Sequence, residues 1–282
     1  MRYLLLTLTL LFASAAQANT LYFTAIPDED ETRLQERFSK VADYLAGELD
    51  VEVVFIPVKS YAASITAFRN NQVQLAWFGG LSGVQARERV AGSRAIAQGV
   101  EDIGFYNYFI AHHSTGLERE DELSEDVRGK TFTFGSRGST SGRLMPEFYI
   151  RDRFNEAPDR VFSRVGYSGN HTRTIALVES GAYEVGALNF AVWDKMVEDG
   201  EIDTDKVKVI WKSPAFANYQ WTIRGDVDSR FGKGFTDRVQ QALLDMDDPE
   251  LLASFPRERF IKVDNDAYDA IREVGQSLGI LD

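Results

Sequence analysis

Thr131-Phe132-Thr133-Phe134-Gly135-Ser136-Arg137-Gly138-Ser139-Thr140-Ser141-Gly142-Arg143-Leu144 is the stretch that decides how this chain is read. Threonine and phenylalanine alternate at period two, which predicts a strand. Glycines and hydroxyl residues follow, and Leu144 to Ile150 opens a helical pattern. A strand passing through a Gly/Ser turn into a helix leaves backbone N–H groups free at the positive end of the helix dipole, a seat for a small oxyanion. The hydroxyls of Ser139, Thr140 and Ser141 add donors with little bulk. Other glycine turns fit less well. Thr140, not serine, is central between Gly138 and Gly142, so no nucleophile elbow is formed. Neither the phosphate-loop Gly-Lys-Ser/Thr nor the dinucleotide Gly-x-Gly-x-x-Gly spacing occurs. A capping run with nothing bound fits the same residues.

Upstream, Leu21 to Ile26, Val51 to Val58 and Leu75 to Phe78 read as strands. Between them lie a helix carrying Leu34, Phe38, Val41, Leu45 and Leu49, and one capped by Ser60. This β-α-β-α-β order predicts an α/β fold with a parallel, doubly wound sheet, whose ligands sit beyond the carboxyl ends of the strands. Tyr61, Trp77, Phe78 and Gly79 stand at those ends. Aromatics there are commonly core, whereas bare backbone at Gly79-Gly80 allows close approach to a ligand. The run Asp28 to Glu31 reads as helix-start charge, with the alternative that the loop faces the cleft and opposes a fully ionised anion.

Downstream, Phe105 to Ile110 is a strand leaving the first lobe, and residues 114 to 130 are a polar connection. Ser168-Gly169-Asn170-His171 begins a second anion-type helix, in whose first turn the dipole disfavours a charged imidazole unless a dianion is bound. Strands at Val185 to Leu188 and Val207 to Trp211 follow, then a return strand Tyr219 to Ile223 and helices to the end. The expected organisation is residues 19–110 with 215–282 as lobe one and residues 111–214 as lobe two.

Residues 1–18 carry Arg2, an apolar run and Ala16-Gln17-Ala18, the pattern of a cleavable secretory signal. An exported, periplasmic protein starting near Asn19 is expected. Cysteine is absent, which excludes disulfides, thiol catalysis and thiolate metal sites. The formal charge is −12 and argues against nucleic acid as a partner. It does not oppose a small anion, because distant surface charges are screened beyond about 8 Å. His112-His113 lacks a carboxylate at ligand spacing, so neither metal nor cofactor is expected. The Asn170-His171-Thr172 sequon is a frequent chance match.

Together, Ala76-Trp77-Phe78-Gly79, Ser139-Thr140-Ser141-Gly142, Ser168 to His171 through Val178 to Gly181, Gly186-Ala187 and Ile210 to Pro214 resemble the periplasmic phosphate/phosphite/phosphonate-binding components of ABC importers. Within that family, Ala25 to Glu29, Leu75 to Leu81, Thr131 to Ser136, Ser139 to Pro146, Gly186 to Asn189 and Gly232 to Thr236 are most similar to a subgroup assigned to selenate transport. The resemblance implies two α/β lobes on a two-segment hinge (type II binding-protein fold), closure on ligand, and delivery to a membrane permease by a monomer. It also implies that the anion is held by Tyr61, the Ser139-Thr140-Ser141 turn and His171. Tyr108 and Asn189 complete the candidate ligand-binding set with Trp77, Phe78 and Gly79. Where family members are expected to use carboxylates, Asn189 is neutral and can donate, which favours selenate or sulfate over aminoalkylphosphonates. The other readings are a sensor for the same anion and an exported hydrolase using Ser139 or Ser141 with His171 as base.

Overall fold

The computed structural model describes residues 19–282, the side chains of residues 253 and 254 excepted. The secretory signal expected at 1–18 lies outside the described residues. Eleven described strands follow in chain order: β1 (Leu21–Ala25), β2 (Val53–Phe55), β3 (Leu75–Phe78), β4 (Arg94–Gly99), β5 (Asn107–His112), β6 (Thr131–Phe134), β7 (Arg164–Tyr167), β8 (Val185–Asn189), β9 (Val207–Lys212), β10 (Gln220–Ile223) and β11 (Phe260–Lys262). They form two mixed sheets, in the orders β11-β4-β10-β3-β1-β2 and β7-β6-β8-β5-β9.

The parallel expectation holds for β2-β1-β3 and for β7-β6-β8. It fails at β10, which runs antiparallel between β3 and β4, and at β5, which runs antiparallel to β8 and β9. The reason is topological. Each of these strands enters its sheet from the other one, at the carboxyl edge where the parallel strands end, and so must run against them. Asn107 to Ile110, expected at the end of the first lobe, are consequently part of the second sheet. The two crossing segments pair at Phe105 and Phe216, whose N–H donates to the Phe105 carbonyl at 2.7 Å.

The first sheet is held by an aromatic cluster in which Phe23, Phe38, Trp77, Trp221 and Phe255 meet at centroid distances of 5.3 to 6.3 Å. The second sheet is covered on one face by a core around Phe109, Phe132 and Phe162, and on the other around Ile110, Ile175 and Val192. Two local departures bear on the site. The Gly/Ser turn enters its helix (Met145–Phe154) through a wide π-type turn, Thr140–Leu144. The strand expected over Val161 to Tyr167 starts only at Arg164, because Pro158 opens a short helical turn, Pro158–Val161.

Candidate functional site

The Ser139–Gly142 turn is built by its own hydrogen bonds. Ser139 Oγ accepts the Gly142 N–H at 2.9 Å, and the Gly135 N–H donates to the Gly142 carbonyl at 2.7 Å. A side chain on Gly135 would meet Gly142 Cα at 3.2 Å, so two glycines are needed for this closure. The turn then meets three elements. A Cβ on Gly138 would lie 2.9 Å from Cβ of Tyr61, the first residue of the helix Tyr61–Arg69. A Cβ on Gly142 would lie 3.0 Å from His171 Cε1, in the first turn of His171–Glu179. Thr140 Oγ1 accepts the Leu81 N–H at 2.9 Å. Tyr61, the serine-rich turn and His171 are thus brought together, from both sheets.

Several of these groups have no protein partner. Tyr61 Oη, Ser141 Oγ and His171 Nε2 are buried without a hydrogen bond among the described residues, and so is Asp28 Oδ1. Buried polar atoms are normally satisfied, so these four call for an explanation. Their protonation is set by the surroundings. Burial, and next the charge of Asp28, push the Tyr61 phenol well above its usual value, so it stays a donor; the Ser139 hydroxyl acts the other way. Burial lowers His171 to about 4, with Glu29 opposing, so the ring is neutral at pH 7. The Asn189 N–H donates to His171 Nδ1 at 3.3 Å, which places the ring proton on Nε2, the unpartnered atom. All three protein groups besides Asp28 are therefore neutral groups able to donate.

Asp28 is absent from the expected ligand-binding set, because the sequence leaves the direction of its loop open. Only Asp30 acts as the helix cap, accepting the Thr32 N–H at 2.9 Å, while Asp28 and Glu29 are buried. Asp28 Oδ2 accepts the Tyr219 hydroxyl at 2.6 Å, and its carbonyl accepts the His171 N–H at 2.8 Å. Burial, then the neighbouring Glu29, raises its pKa to about 6, against the opposing effects of Arg37 and the Tyr219 bond. Its position three residues beyond β1, at the carboxyl edge, was the available signal.

Other expected residues have different tasks. Asn189 Oδ1 caps the helix Phe190–Glu198 through Ala191 N–H at 2.7 Å, and Nδ2 donates to Tyr219 Oη at 3.0 Å. Its amide is therefore committed, and the preference for selenate or sulfate drawn from it loses its basis. Trp77 stacks on Tyr219 with centroids 5.4 Å apart, and Phe78 packs edge-on to Phe68; both belong to the core. The amides after Gly79 are taken by protein: Gly80 N–H donates to Asn218 Oδ1 at 3.1 Å and Leu81 N–H to Thr140. Tyr108 packs against Tyr106 and Phe190. A cleft of about 190 Å³ borders Asp28, Trp77, Asn189 and Tyr219 from outside, but Tyr61, Ser141 and His171 do not line it. His112 and His113 form no metal cluster among the described residues. The hydrolase reading fails chemically, since a His171 whose Nε2 carries the proton cannot take one from serine.

A family described as the periplasmic substrate-binding protein of phosphonate ABC transporters matches residues 23–268. A probable ABC transporter phosphite binding protein, PhnD1 of Prochlorococcus marinus (strain MIT 9301), is 37% identical over 99% of this chain and 98% of its own. The structure of PhnD1 in complex with methylphosphonate superimposes with a TM-score of 0.88, covering 93% of this chain and 99% of that one. The phosphonates-binding periplasmic protein of Escherichia coli (strain K12) is 29% identical over 70% of this chain and 59% of its own. With its two mixed α/β sheets, the chain belongs to the phosphonate-binding family of periplasmic ABC-transporter substrate-binding proteins, which are binding proteins and not enzymes.

Proposed function

We propose that this protein captures a phosphorus oxyanion that keeps one proton (phosphite, methylphosphonate or phosphate) and delivers it, as a periplasmic monomer, to the membrane permease. The two sheets act as the cores of two lobes that close on the anion, with Phe105–Tyr106 and residues 213–218 as the hinge. The observation that carries the choice of ligand is that Asp28 Oδ1 is buried without a partner, as are Tyr61 Oη, Ser141 Oγ and His171 Nε2, the four groups that would together line the anion chamber. Donors alone would accept any compact oxyanion. A carboxylate oxygen among them repels a fully ionised sulfate or selenate but accepts the proton of a protonated phosphorus acid. The similarity to a phosphite-binding relative, and to a structure holding methylphosphonate, supports the same class.

Isothermal titration at pH 7.5 tests this. The wild type should bind one or more of the phosphorus anions and leave sulfate and selenate unbound. Asp28→Asn should lose about 1.5–3 kcal/mol for the phosphorus anion, typical of a hydrogen bond to a charged group, while gaining for sulfate. Tighter sulfate or selenate binding by the wild type would refute the proposal.

A further inference from the structure

Asn107 is the first residue of β5, where the chain enters the second sheet. Its backbone is satisfied: the N–H donates to Ser213 Oγ at 3.0 Å, and its carbonyl accepts the Ser213 N–H at 3.0 Å. Its side chain is fully buried, yet neither Oδ1 nor Nδ2 has a partner among the described residues. Leaving both ends of a buried amide unmade is costly, and an apolar side chain would fill the same space without that cost.

The strand register gives the direction of this amide. Asn107 stands directly opposite Asn189, so the two project from one face of the sheet. Phe109 and Ala187 lie on the same face, and the Thr140–Leu144 turn packs against β8. Asn189 is the residue whose N–H fixes His171 and whose Nδ2 holds Tyr219, and through it Asp28. Asn107 is therefore one strand away from the ring of unpartnered groups.

Resting on the function proposed above, we infer that Asn107 lines the chamber and reads the fourth substituent on phosphorus, favouring a hydroxyl-bearing group over hydrogen or methyl. Tyr61, Ser141 and His171 supply three donors and Asp28 one acceptor, a set that matches three oxygens and one proton. An amide adds a donor and an acceptor side by side, which a hydroxyl uses together and a P–H or P–CH3 group leaves unpaired. Hydroxymethylphosphonate fits that description in full; monohydrogen phosphate, whose one proton goes to Asp28, presents a fourth oxygen that accepts from the amide N–H alone, which a P–H or P–CH3 group cannot do.

The test is calorimetric titration of the wild type, Asn107→Leu and Asn107→Asp with phosphate, hydroxymethylphosphonate, phosphite and methylphosphonate. The wild type should prefer the first two. Asn107→Leu should weaken them at least about tenfold while changing methylphosphonate by less than about threefold, as expected when a polar contact is read by a buried group. Asn107→Asp keeps the native shape should leucine prevent folding. At pH 8 it should weaken phosphate more than methylphosphonate. Equal changes for all four ligands, or none, would overturn the assignment, including the case in which an internal water satisfies the amide. Failure of the wild type to bind any of the four would remove the function itself, and Asn107 with it.

Discussion

Asp28 and His171 share a backbone hydrogen bond of 2.8 Å, and burial moves their proton affinities in opposite directions. His171 falls from 6.5 to about 4, so between those values the unfolded chain binds the extra proton and acidification destabilises the fold. Asp28 rises from 3.8 to about 6, so there the native chain binds the extra proton and acidification stabilises it. The two slopes oppose each other between pH 4 and 6. Melting curves of the ligand-free protein should therefore show Asp28→Asn losing more stability than wild type from pH 6.5 to 4.5, and His171→Gln losing less. Parallel profiles for all three would contradict these assignments. His171→Gln should also weaken the anion by about 1–3 kcal/mol. That the serine turn and His171 stand at helix starts was legible because helix-start chemistry is local in sequence. Asp28 was not, since a run of four acids fits a helix dipole equally well until burial separates its first two members from the cap at Asp30.

At the scale of elements, the site depends on how closely the Gly/Ser turn approaches the helix Tyr61–Arg69. Gly138→Ala would place a methyl 2.9 Å from Tyr61 Cβ, a backbone-anchored atom with little freedom to yield. The clash is relieved by separating the two elements, so the expected result is weaker anion binding by roughly 1–3 kcal/mol, a typical overpacking cost. The ligand-free melting temperature should stay near wild type. Phe78→Ala behaves in the opposite way: its ring is fully buried against Phe68, so it should destabilise the fold by about 3–5 kcal/mol. Strand and helix positions were readable from periodicity, as for Leu75 to Phe78 and Phe190 to Glu198. The direction of β5 and β10 was not, because reversing a strand leaves its pattern of apolar residues unchanged. The short β11 was missed for a related reason, since three residues carry no period.

For the molecule as a whole, Leu144 and Met145 pack into the core of the first sheet, and the polar contacts that tie one sheet to the other are individually weak. They include the Thr140–Leu81 and His171–Asp28 bonds, Asn170 Nδ2 to the Glu29 carbonyl at 3.2 Å, and the rim pair Arg33 with Glu201. Each is worth only about 0.5–1.5 kcal/mol, and the rim pair less. Closure should then need the anion, and small-angle scattering should record a smaller radius of gyration once ligand is added. An unchanged radius would mean the arrangement is rigid. The antiparallel insertion of β10 also bears on how the chain matures. All strands of the second sheet lie between Asn107 and Lys212, whereas the first sheet lacks a central member until Gln220–Ile223 has been made. A chain emerging amino-end first would thus complete its later-numbered sheet before its earlier one, leaving the facing edges of β3 and β4 unpaired, edges that an export chaperone has reason to shield.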